Sequence, residues 1–253
     1  MTPGAAAMTF FTTGGVAFGA LAWVSVAPTS RFWGSLYSHG PTAQPGRYAL
    51  TFDDGPTLKS TTAILDTLAD LDAKATFFVI GENARNHPAL LQRMHADGHI
   101  VANHTLHHHH LSMFRGGAYW LRELAETDRI IEDAIGRRPA MFRPPMGVKT
   151  WHVMHAATAR GQAVITWSRR GVDGISTTSD RILRRLLPTT VAGDVLLLHD
   201  GVEPQSRRDP GATVAAVRPL IMGLRNRGLE PAPLDAFLQL PAYATATTAT
   251  PAA

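Results

Sequence analysis

Short apolar runs alternate with longer amphipathic stretches between residues 48 and 231, in about seven units. Continuous runs rich in β-branched and aromatic residues are typical of strands that are buried on both faces. The predicted strands are Tyr48–Phe52, Ala75–Ile80, Ile100–Asn103, Ala140–Phe142, Ala163–Trp167, Val195–Leu198 and, more weakly, Leu229–Pro231. Their alternation with amphipathic stretches predicts an α/β fold built on parallel strands.

The amphipathic stretches carry apolar residues at three- and four-residue spacing, which predicts helices. These helices are Ser60–Leu71, Pro88–Asp97, Tyr119–Ile135, Ser179–Leu187 and Thr213–Arg227. Ser60 and Ser179 are expected to be N-caps, since serine hydroxyls accept hydrogen bonds from the first free N–H groups of a helix. Glycines that tolerate left-handed backbone are expected to close helices at Gly98, Gly136, Gly161 and Gly228.

Polar residues follow the ends of five different predicted strands, at Asp53-Asp54, His104, Arg143, Asp173 and His199. In a parallel barrel these strand ends share one face, where the active site is built. An open, doubly wound sheet also gathers its loops on one side, but five strands reach one site more easily if the sheet curls closed. We therefore expect one catalytic domain with a distorted (β/α)7 barrel of parallel strands, preceded by an N-terminal hydrophobic helix.

Two acidic residues and a histidine-rich segment carry ligands suited to a divalent metal. Asp53 and Asp54 are adjacent, and His104 and His108 follow about fifty positions later. Carboxylate and neutral imidazole bind zinc, and a catalytic zinc keeps one position open for water. On a helical turn the two histidines would share a face about 5 to 6 Å apart. One Asp and both His could then hold the metal, which leaves the second Asp available as a base.

Five motifs give the segment from about Tyr48 to Leu240 a resemblance to a known family. They are Thr51-Phe52-Asp53-Asp54-Gly55-Pro56, His104-Thr105-Leu106-His107-His108, Arg143-Pro144-Pro145-Met146-Gly147, Trp167-Ser168-Arg169-Arg170-Gly171-Val172-Asp173 and Leu196-Leu197-Leu198-His199-Asp200. In order and spacing they are similar to the polysaccharide deacetylases of the NodB-homology type, carbohydrate esterase family 4. The resemblance implies a metal-dependent hydrolase of carbon–nitrogen bonds that removes N-acetyl groups from amino sugars of a polysaccharide or envelope glycan.

The resemblance implies that Asp54, His104 and His108 are the metal ligands. Zinc is the expected ion, with cobalt, nickel or manganese as alternatives. The run of histidines leaves two further interpretations open, namely that His107 replaces one ligand, or that the segment is a histidine-rich loop that only scavenges metal.

The resemblance also implies the catalytic roles. Asp53 corresponds to the base and Arg143 to the arginine that pairs with it. His199 corresponds to the general acid, and Asp173 to the aspartate that orients this histidine.

Two positions depart from the family pattern beside the expected substrate groove. Met146 stands where the family has an aromatic residue whose backbone N–H helps to hold the oxyanion, and Gly174 also replaces a usual aromatic. Leu197 is the expected wall of the acyl pocket. The backbone N–H at Met146 is unaffected by the replacement, so the departures bear on sugar recognition rather than on the chemistry.

Three other functions use the same residues. The chain could be a deformylase or deacetylase of a lipid-linked sugar, or an O-acetyl esterase. It could also be a non-catalytic, metal-containing carbohydrate-binding protein, although its complete set of base, acid and ligands argues against that.

Residues 1–30 contain no Asp, Glu, Lys or Arg. Their apolar part reaches the length of about 20 residues that a helix needs to span a bilayer. We expect a hydrophobic membrane anchor here, or a signal segment cleaved after Ala20-Leu21-Ala22. A linker would follow at 31–46, the deacetylase-like domain at 47–240 and a disordered tail at 241–253. The catalytic domain is expected to be extracytoplasmic on a single-pass anchor, with secretion after cleavage as the alternative.

Charge and cysteine content exclude several classes of partner and site. Lys and Arg exceed Asp and Glu only by 24 to 20, without an aromatic-interleaved basic stripe, so no nucleic-acid partner is expected. The absence of cysteine excludes disulfides and thiolate metal sites. The expected partners are an acetylated glycan substrate and the membrane, and the chain is expected to be a monomer.

Overall fold

The computed structural model describes residues 19–41 and 45–245. Its strands are Arg47–Asp53 (β1), Thr76–Val79 (β2), Ile100–Asn103 (β3), Met141–Phe142 (β4), Ala163–Val164 (β5), Arg169–Arg170 (β6), Val195–His199 (β7) and Glu230–Pro231 (β8). The labelled helices are Leu58–Asp70 (α1), Gly81–Asn86 (α2), Pro88–Ala96 (α3), Gly117–Ile135 (α4), Trp151–Ala159 (α5), Ser179–Leu186 (α6), Gly211–Arg225 (α7) and Leu234–Leu238 (α8). Short 3₁₀ helices cover His110–Phe114 and Pro145–Gly147.

Seven strands form one parallel sheet in the order β5-β4-β3-β2-β1-β7-β6, and β8 pairs with the first residues of β1. The central strand β1 is hydrogen-bonded to β2 on one side and to β7 on the other. This curled, half-barrel arrangement confirms the predicted α/β fold and agrees with a distorted (β/α)7 barrel.

Alternate residues of the strands pack into different cores, as the two-residue period of a strand requires. In β1, Tyr48, Leu50 and Phe52 pack toward the helices α1 and α7, whereas Ala49 belongs to a second core inside the curl. Phe237 of the short helix α8 also packs into this inner core. The sheet is therefore covered on both faces, and its polar chemistry is confined to the strand ends.

A segment before β1 lies at the edge of the curled sheet. Tyr37 forms a parallel bridge with Ile165, just after β5, and His39 forms an antiparallel bridge with Asp194, just before β7. The backbone N–H of Tyr37 donates to Val164 at 2.9 Å, and its carbonyl accepts from Thr166 at 2.8 Å. Residues 37–39 thus connect two parts of the sheet that are not neighbouring strands.

The seven predicted strands are all present, but β6 was not predicted. Its two residues are both arginines, so it leaves no apolar run in the sequence. The helices α2, α5 and α8 were not predicted either. The first and last span six and five residues, too few for a helical period, and α5 is rich in small residues.

Both predicted N-caps are wrong, Ser60 by three residues and Ser179 by one. Helix α1 begins at Leu58 with Thr57 as its N-cap, and the hydroxyl of Ser60 instead donates to the carbonyl of Asp200 at 2.6 Å. Helix α6 is capped by Thr178, whose hydroxyl accepts from the N–H of Arg181. The prediction for Gly136 is confirmed, because this residue caps α4 at a φ of 69°.

The predicted N-terminal hydrophobic helix is not supported. Residues 1–18 lie outside the described residues, and 19–26 form a helical stretch of the described chain. No helix among the described residues combines the length and apolarity that crossing a membrane requires. Lys149 contacts the end of this stretch, with its backbone N–H donating to the carbonyl of Ser25 at 2.8 Å and its Nζ donating to the carbonyl of Ala27 at 3.0 Å.

Ordered structure also continues past the predicted domain end at residue 240. Tyr243 forms an antiparallel bridge with Pro139, and its hydroxyl accepts from the N–H of Val101 at 3.1 Å. The rest of the predicted tail, 246–253, lies outside the described residues.

Candidate active site and metal centre

The two acidic residues at the end of β1 face the same cleft because the backbone leaves the extended conformation of the strand at the second of them. Successive residues of a strand point to opposite faces. Asp53 is the last residue of β1, whereas Asp54 has left the strand with a φ of 71°. The side-chain amide of Asn83 donates to the carbonyls of Asp54 at 2.8 Å and Val202 at 2.9 Å. Both carboxylates therefore line one cleft, and Asn83 holds the turn that places them there.

The histidine-rich segment after β3 is a bend rather than the helical turn expected from its spacing. Thr105 and His108 adopt left-handed backbone with φ values of 69° and 53°. Asn103 Oδ1 accepts from the N–H of Thr105 at 2.8 Å, and Thr105 Oγ1 accepts from the N–H of His108 at 3.2 Å. This bend brings the rings of His104 and His108 to a centroid distance of 4.8 Å.

Asp54, His104 and His108 form a buried group that could hold a metal ion. Asp54 Oδ1 lies 3.5 Å from His104 Nε2 and 3.6 Å from His108 Nε2. Within the described part of the chain, this buried oxygen has no hydrogen-bond partner. A buried acceptor without a partner is costly, and a cation would satisfy it.

The tautomer of His104 also suits a metal ligand. Its Nδ1 lies 2.7 Å from the carbonyl oxygen of Arg143, which can only accept, so the proton is on Nδ1. In a neutral ring this leaves the lone pair of Nε2 free for a metal, and the hydrogen bond at Nδ1 fixes the orientation of the ring. The carboxylate and imidazole donors therefore fit a divalent ion such as zinc.

His107 lies outside this group, which answers a question that the sequence left open. Its Nδ1 donates to Glu123 Oε1 at 2.7 Å. The other oxygen of Glu123, which lies on α4, accepts from the N–H groups of Leu106 at 3.1 Å and His107 at 3.0 Å. Glu123 thus holds the bend from behind, and the structure turns His107 away from the metal group.

Arg143 is fully buried and bonded to the end of β1. Its Nη1 donates to Asp53 Oδ1 at 2.7 Å and to Thr51 Oγ1 at 2.8 Å. Its Nη2 donates to the carbonyl of Thr166 at 3.1 Å, and its guanidinium carbon lies 4.0 Å from the ring centroid of Phe78. The guanidinium compensates the buried carboxylate of Asp53 and holds its position, as expected from the sequence.

His199 ends β7 and is held by the carboxylate of Asp173. Asp173 Oδ1 lies 3.0 Å from His199 Nδ1, and Oδ2 accepts from the N–H of His199 at 2.8 Å and from Thr213 Oγ1 at 2.7 Å. Burial lowers the pKa of His199, but the carboxylate of Asp173, with smaller contributions from Asp54 and Asp53, raises it to about 9. The ring is therefore an imidazolium at neutral pH.

The next residue, Asp200, is a buried carboxyl group beneath the site. Burial raises its pKa to about 7, opposed by the hydrogen bond from Thr61 Oγ1 to Oδ2 at 2.5 Å. Its Oδ1 has no hydrogen-bond partner within the described residues. Asp200 therefore titrates in the neutral range without lining the cleft.

The cleft that unites these groups has a volume of about 350 Å³. Leu197 forms part of its wall, and Met146 lies at its mouth with 45% of its surface exposed and a φ of 53°. At Gly174, a Cβ atom would lie 3.1 Å from His199 Cε1. The missing side chain at this position leaves room beside the imidazole, where an aromatic residue would crowd it.

The structure brings together all nine site residues predicted from the sequence, and adds several that were not predicted. Thr51, Asn83 and Thr213 contact predicted site residues, Glu123 holds the bend between His104 and His108, and Glu203 lines the cleft beside His108. None of them belongs to a repeated pattern. Two of them could have been singled out in the sequence, since Thr51 stands in the first of the five motifs and Glu203 lies four residues after His199.

Residues 40–165 match a family model described as polysaccharide deacetylase. A chitooligosaccharide deacetylase from Sinorhizobium fredii is 38% identical over 193 residues, which cover 74% of this chain and 89% of the relative. A peptidoglycan-N-acetylglucosamine deacetylase from Bacillus cereus is 36% identical over 151 residues. This match covers 60% of the chain but only 54% of the relative, so the chain spans about half of that relative's length.

The fold is shared with solved structures as well. A crystal structure of a peptidoglycan N-acetylglucosamine deacetylase superposes with a TM-score of 0.77 at 29% identity, covering 83% of this chain and 95% of the other. The similarity therefore extends over nearly all of that solved domain.

Proposed function

This chain is a hydrolase that belongs to the polysaccharide deacetylase family, and from that premise we propose that it removes N-acetyl groups from amino sugars of a polysaccharide or envelope glycan. One observation carries the proposal. A carboxylate paired with a buried arginine, a metal-type ligand group and a carboxylate-held imidazolium line a single cleft.

We propose that Asp54, His104 and His108 hold a divalent metal, with zinc as the first candidate. The buried, partnerless Oδ1 of Asp54 and the Nδ1 tautomer of His104 support this assignment. When bound, such an ion supplies Lewis-acid polarisation of the acyl carbonyl and acidification of a water molecule.

The base in this proposal is Asp53, which removes a proton from the attacking water. Arg143 holds its Oδ1, and the other oxygen, Oδ2, lies 3.7 Å from His104 Nε2 beside the ligand group and is the proposed acceptor. The backbone N–H of Met146 is proposed to stabilise the oxyanion, and one such donor contributes about 3 kcal/mol. Leu197 is proposed to form the wall of the pocket that receives the acyl methyl group.

The acid in this proposal is His199. An amide nitrogen leaves poorly unless it is protonated, so a donor that is protonated at neutral pH is needed on its side of the cleft. The imidazolium of His199 meets this requirement, and Asp173 fixes its orientation through Nδ1, which leaves Nε2 to donate. General acid catalysis of this kind contributes about 10²- to 10⁴-fold.

The function is tested with a panel of acylated glycans and the zinc-loaded full chain, with free amine and released acid measured separately. N-deacetylation predicts equal amounts of amine and acetate from acetylated chitooligosaccharide or peptidoglycan. Formate with amine would indicate a deformylase, and acetate without amine an O-acetyl esterase. Glycan binding without any product would contradict the proposal and favour a non-catalytic carbohydrate-binding protein.

We further propose that the domain acts outside the cytoplasm, tethered or secreted by the charge-free segment 1–30. This proposal rests on the sequence of that segment. Fractionation of cells that express a C-terminally tagged chain, with protease added to intact spheroplasts, tests it. A tag that stays protected in the soluble cytoplasmic fraction would contradict it.

A further inference from the structure

A second group of possible ligands lies beside the proposed metal centre. Glu203 Oε1 is 2.6 Å from His110 Nε2 and 3.2 Å from His108 Nδ1. His108 also belongs to the first group through its other nitrogen, Nε2. Such a group could be a second cation site, or Glu203 could orient His108 for the first one.

The burial and geometry of His108 favour orientation. Its side chain is only 5% exposed, and its Nδ1 has no aligned hydrogen bond within the described residues, although Glu203 lies within reach. A neutral ring that binds a metal through Nε2 carries its proton on Nδ1 and needs an acceptor there. A second cation on Nδ1 would instead require the same ring to lose both protons.

Each of the two proposed ligand histidines has an acceptor within reach of its Nδ1 atom. The Nδ1 of His104 faces the carbonyl of Arg143, and the Nδ1 of His108 faces the carboxylate of Glu203. Asn83 connects the two loops, since its amide donates to both Asp54 and Val202, the neighbour of Glu203. The acceptor is thus tied to the ligand loop by a separate side chain.

We infer that Glu203 is a positioning residue that fixes the tautomer and ring orientation of His108 for metal binding. This inference rests on the proposed metal site at Asp54, His104 and His108. His110 contacts the same carboxylate oxygen, but its side chain is 58% exposed, and the inference does not require it for metal binding.

The test measures zinc stoichiometry and affinity of the full chain by competition with a fluorescent chelator. Outer hydrogen-bond partners of ligand histidines affect metal affinity by about 10- to 100-fold, so Glu203→Ala is expected to weaken zinc binding by that factor. Glu203→Gln retains an acceptor oxygen and is expected to restore part of the affinity. His110→Ala is expected to retain wild-type affinity and a single bound zinc.

A matched control separates positioning from general damage. Glu82 has a similarly exposed carboxylate, 34% against 27% for Glu203, and lies 3.7 Å from the non-ligand His107, so Glu82→Ala should leave zinc affinity unchanged. The melting temperature of the metal-free chain should not differ between Glu203→Ala and wild type. The visible absorption spectrum of the cobalt-loaded chain should change in Glu203→Ala and not in Glu82→Ala.

Two results would overturn the inference while leaving the proposed function intact. One is wild-type zinc affinity in Glu203→Ala. The other is a second zinc in the wild type that is lost in both Glu203→Ala and His110→Ala. A wild-type chain whose zinc binding is insensitive to Asp54→Ala would instead refute the proposed metal centre itself, and with it this inference.

Discussion

Asp53 and His199 are register partners at the ends of two neighbouring parallel strands, β1 and β7. Partner residues in a parallel pair point to the same side of the sheet, so both side chains enter one cleft. The spacing between the proposed base and the proposed acid is therefore set by backbone hydrogen bonding rather than by flexible side chains.

The metal ligands can be separated from their histidine neighbours by substitution. We expect Asp54→Ala and His104→Ala each to abolish both zinc binding and glycan deacetylation. His107→Ala is the matched control, since its ring contacts Glu123 rather than the ligand group, and it should keep its zinc. Zinc content by atomic absorption and amine release are the measurements. Full activity in a zinc-free Asp54→Ala variant would contradict the scheme.

The pH profile should report the pairing of His199 with Asp173. A general acid must be protonated to act, and the pKa of about 9 for His199 keeps it so through neutral pH, with activity lost as pH rises through 9. In Asp173→Asn the main group that raises this pKa is lost while burial still lowers it. The alkaline limb of kcat/KM should move to lower pH by about one unit or more. If the alkaline limb does not move in Asp173→Asn, the loss of activity at high pH belongs to a group other than His199.

The buried pair of Arg143 and Asp53 should couple strongly in folding. Removing one partner leaves an unpaired buried charge, so Arg143→Met is expected to lower the free energy of unfolding by about 3 to 5 kcal/mol. Adding Asp53→Asn should recover part of this loss. Urea unfolding of the two single variants and the double variant measures the coupling. The exposed Arg129→Met should show no measurable change, and additive effects at Arg143 and Asp53 would refute the coupling.

Asp200 predicts a pH-dependent stability. Its folded pKa of about 7 lies above the ordinary 3.8, so the folded state keeps a proton that the unfolded chain releases between these values. The free energy of unfolding therefore falls as pH rises through this window. The free energy of unfolding of Asp200→Asn should not fall in this way, so its difference from the wild type should shift in favour of the variant by up to ~4 kcal/mol between pH 4 and pH 8. Urea midpoints across pH test this, and a constant difference would argue against it.

What could be predicted from the sequence is what side-chain patterns encode. The strands β1, β2, β3 and β7 are buried on both faces, and burial selects the apolar runs that the sequence displays. The polar residues that interrupt these runs at the strand ends then identify the site. Asp53 and His199 were predictable for this reason.

What could not be predicted depends on backbone geometry or on single contacts. Strand β6 is defined by its backbone pairing with Leu196 and Leu197 of β7. Backbone pairing does not require apolar side chains, so the two arginines of β6 carry no strand pattern in the sequence. The His104–His108 bend relies on left-handed backbone at Thr105, which no preference for that residue would suggest. Glu203 contributes through one carboxylate oxygen, and a single glutamate in a loop carries no periodic signal.

The bridges of Tyr37 and His39 have a consequence for how this protein can be shortened. A fragment that starts at Arg47, where the barrel strands begin, would leave backbone groups of Val164, Thr166 and the residues before β7 open to water. Exposed sheet edges recruit other chains, so such a fragment is expected to self-associate. A domain intended to stay dispersed in solution has to retain the stretch that precedes its first strand.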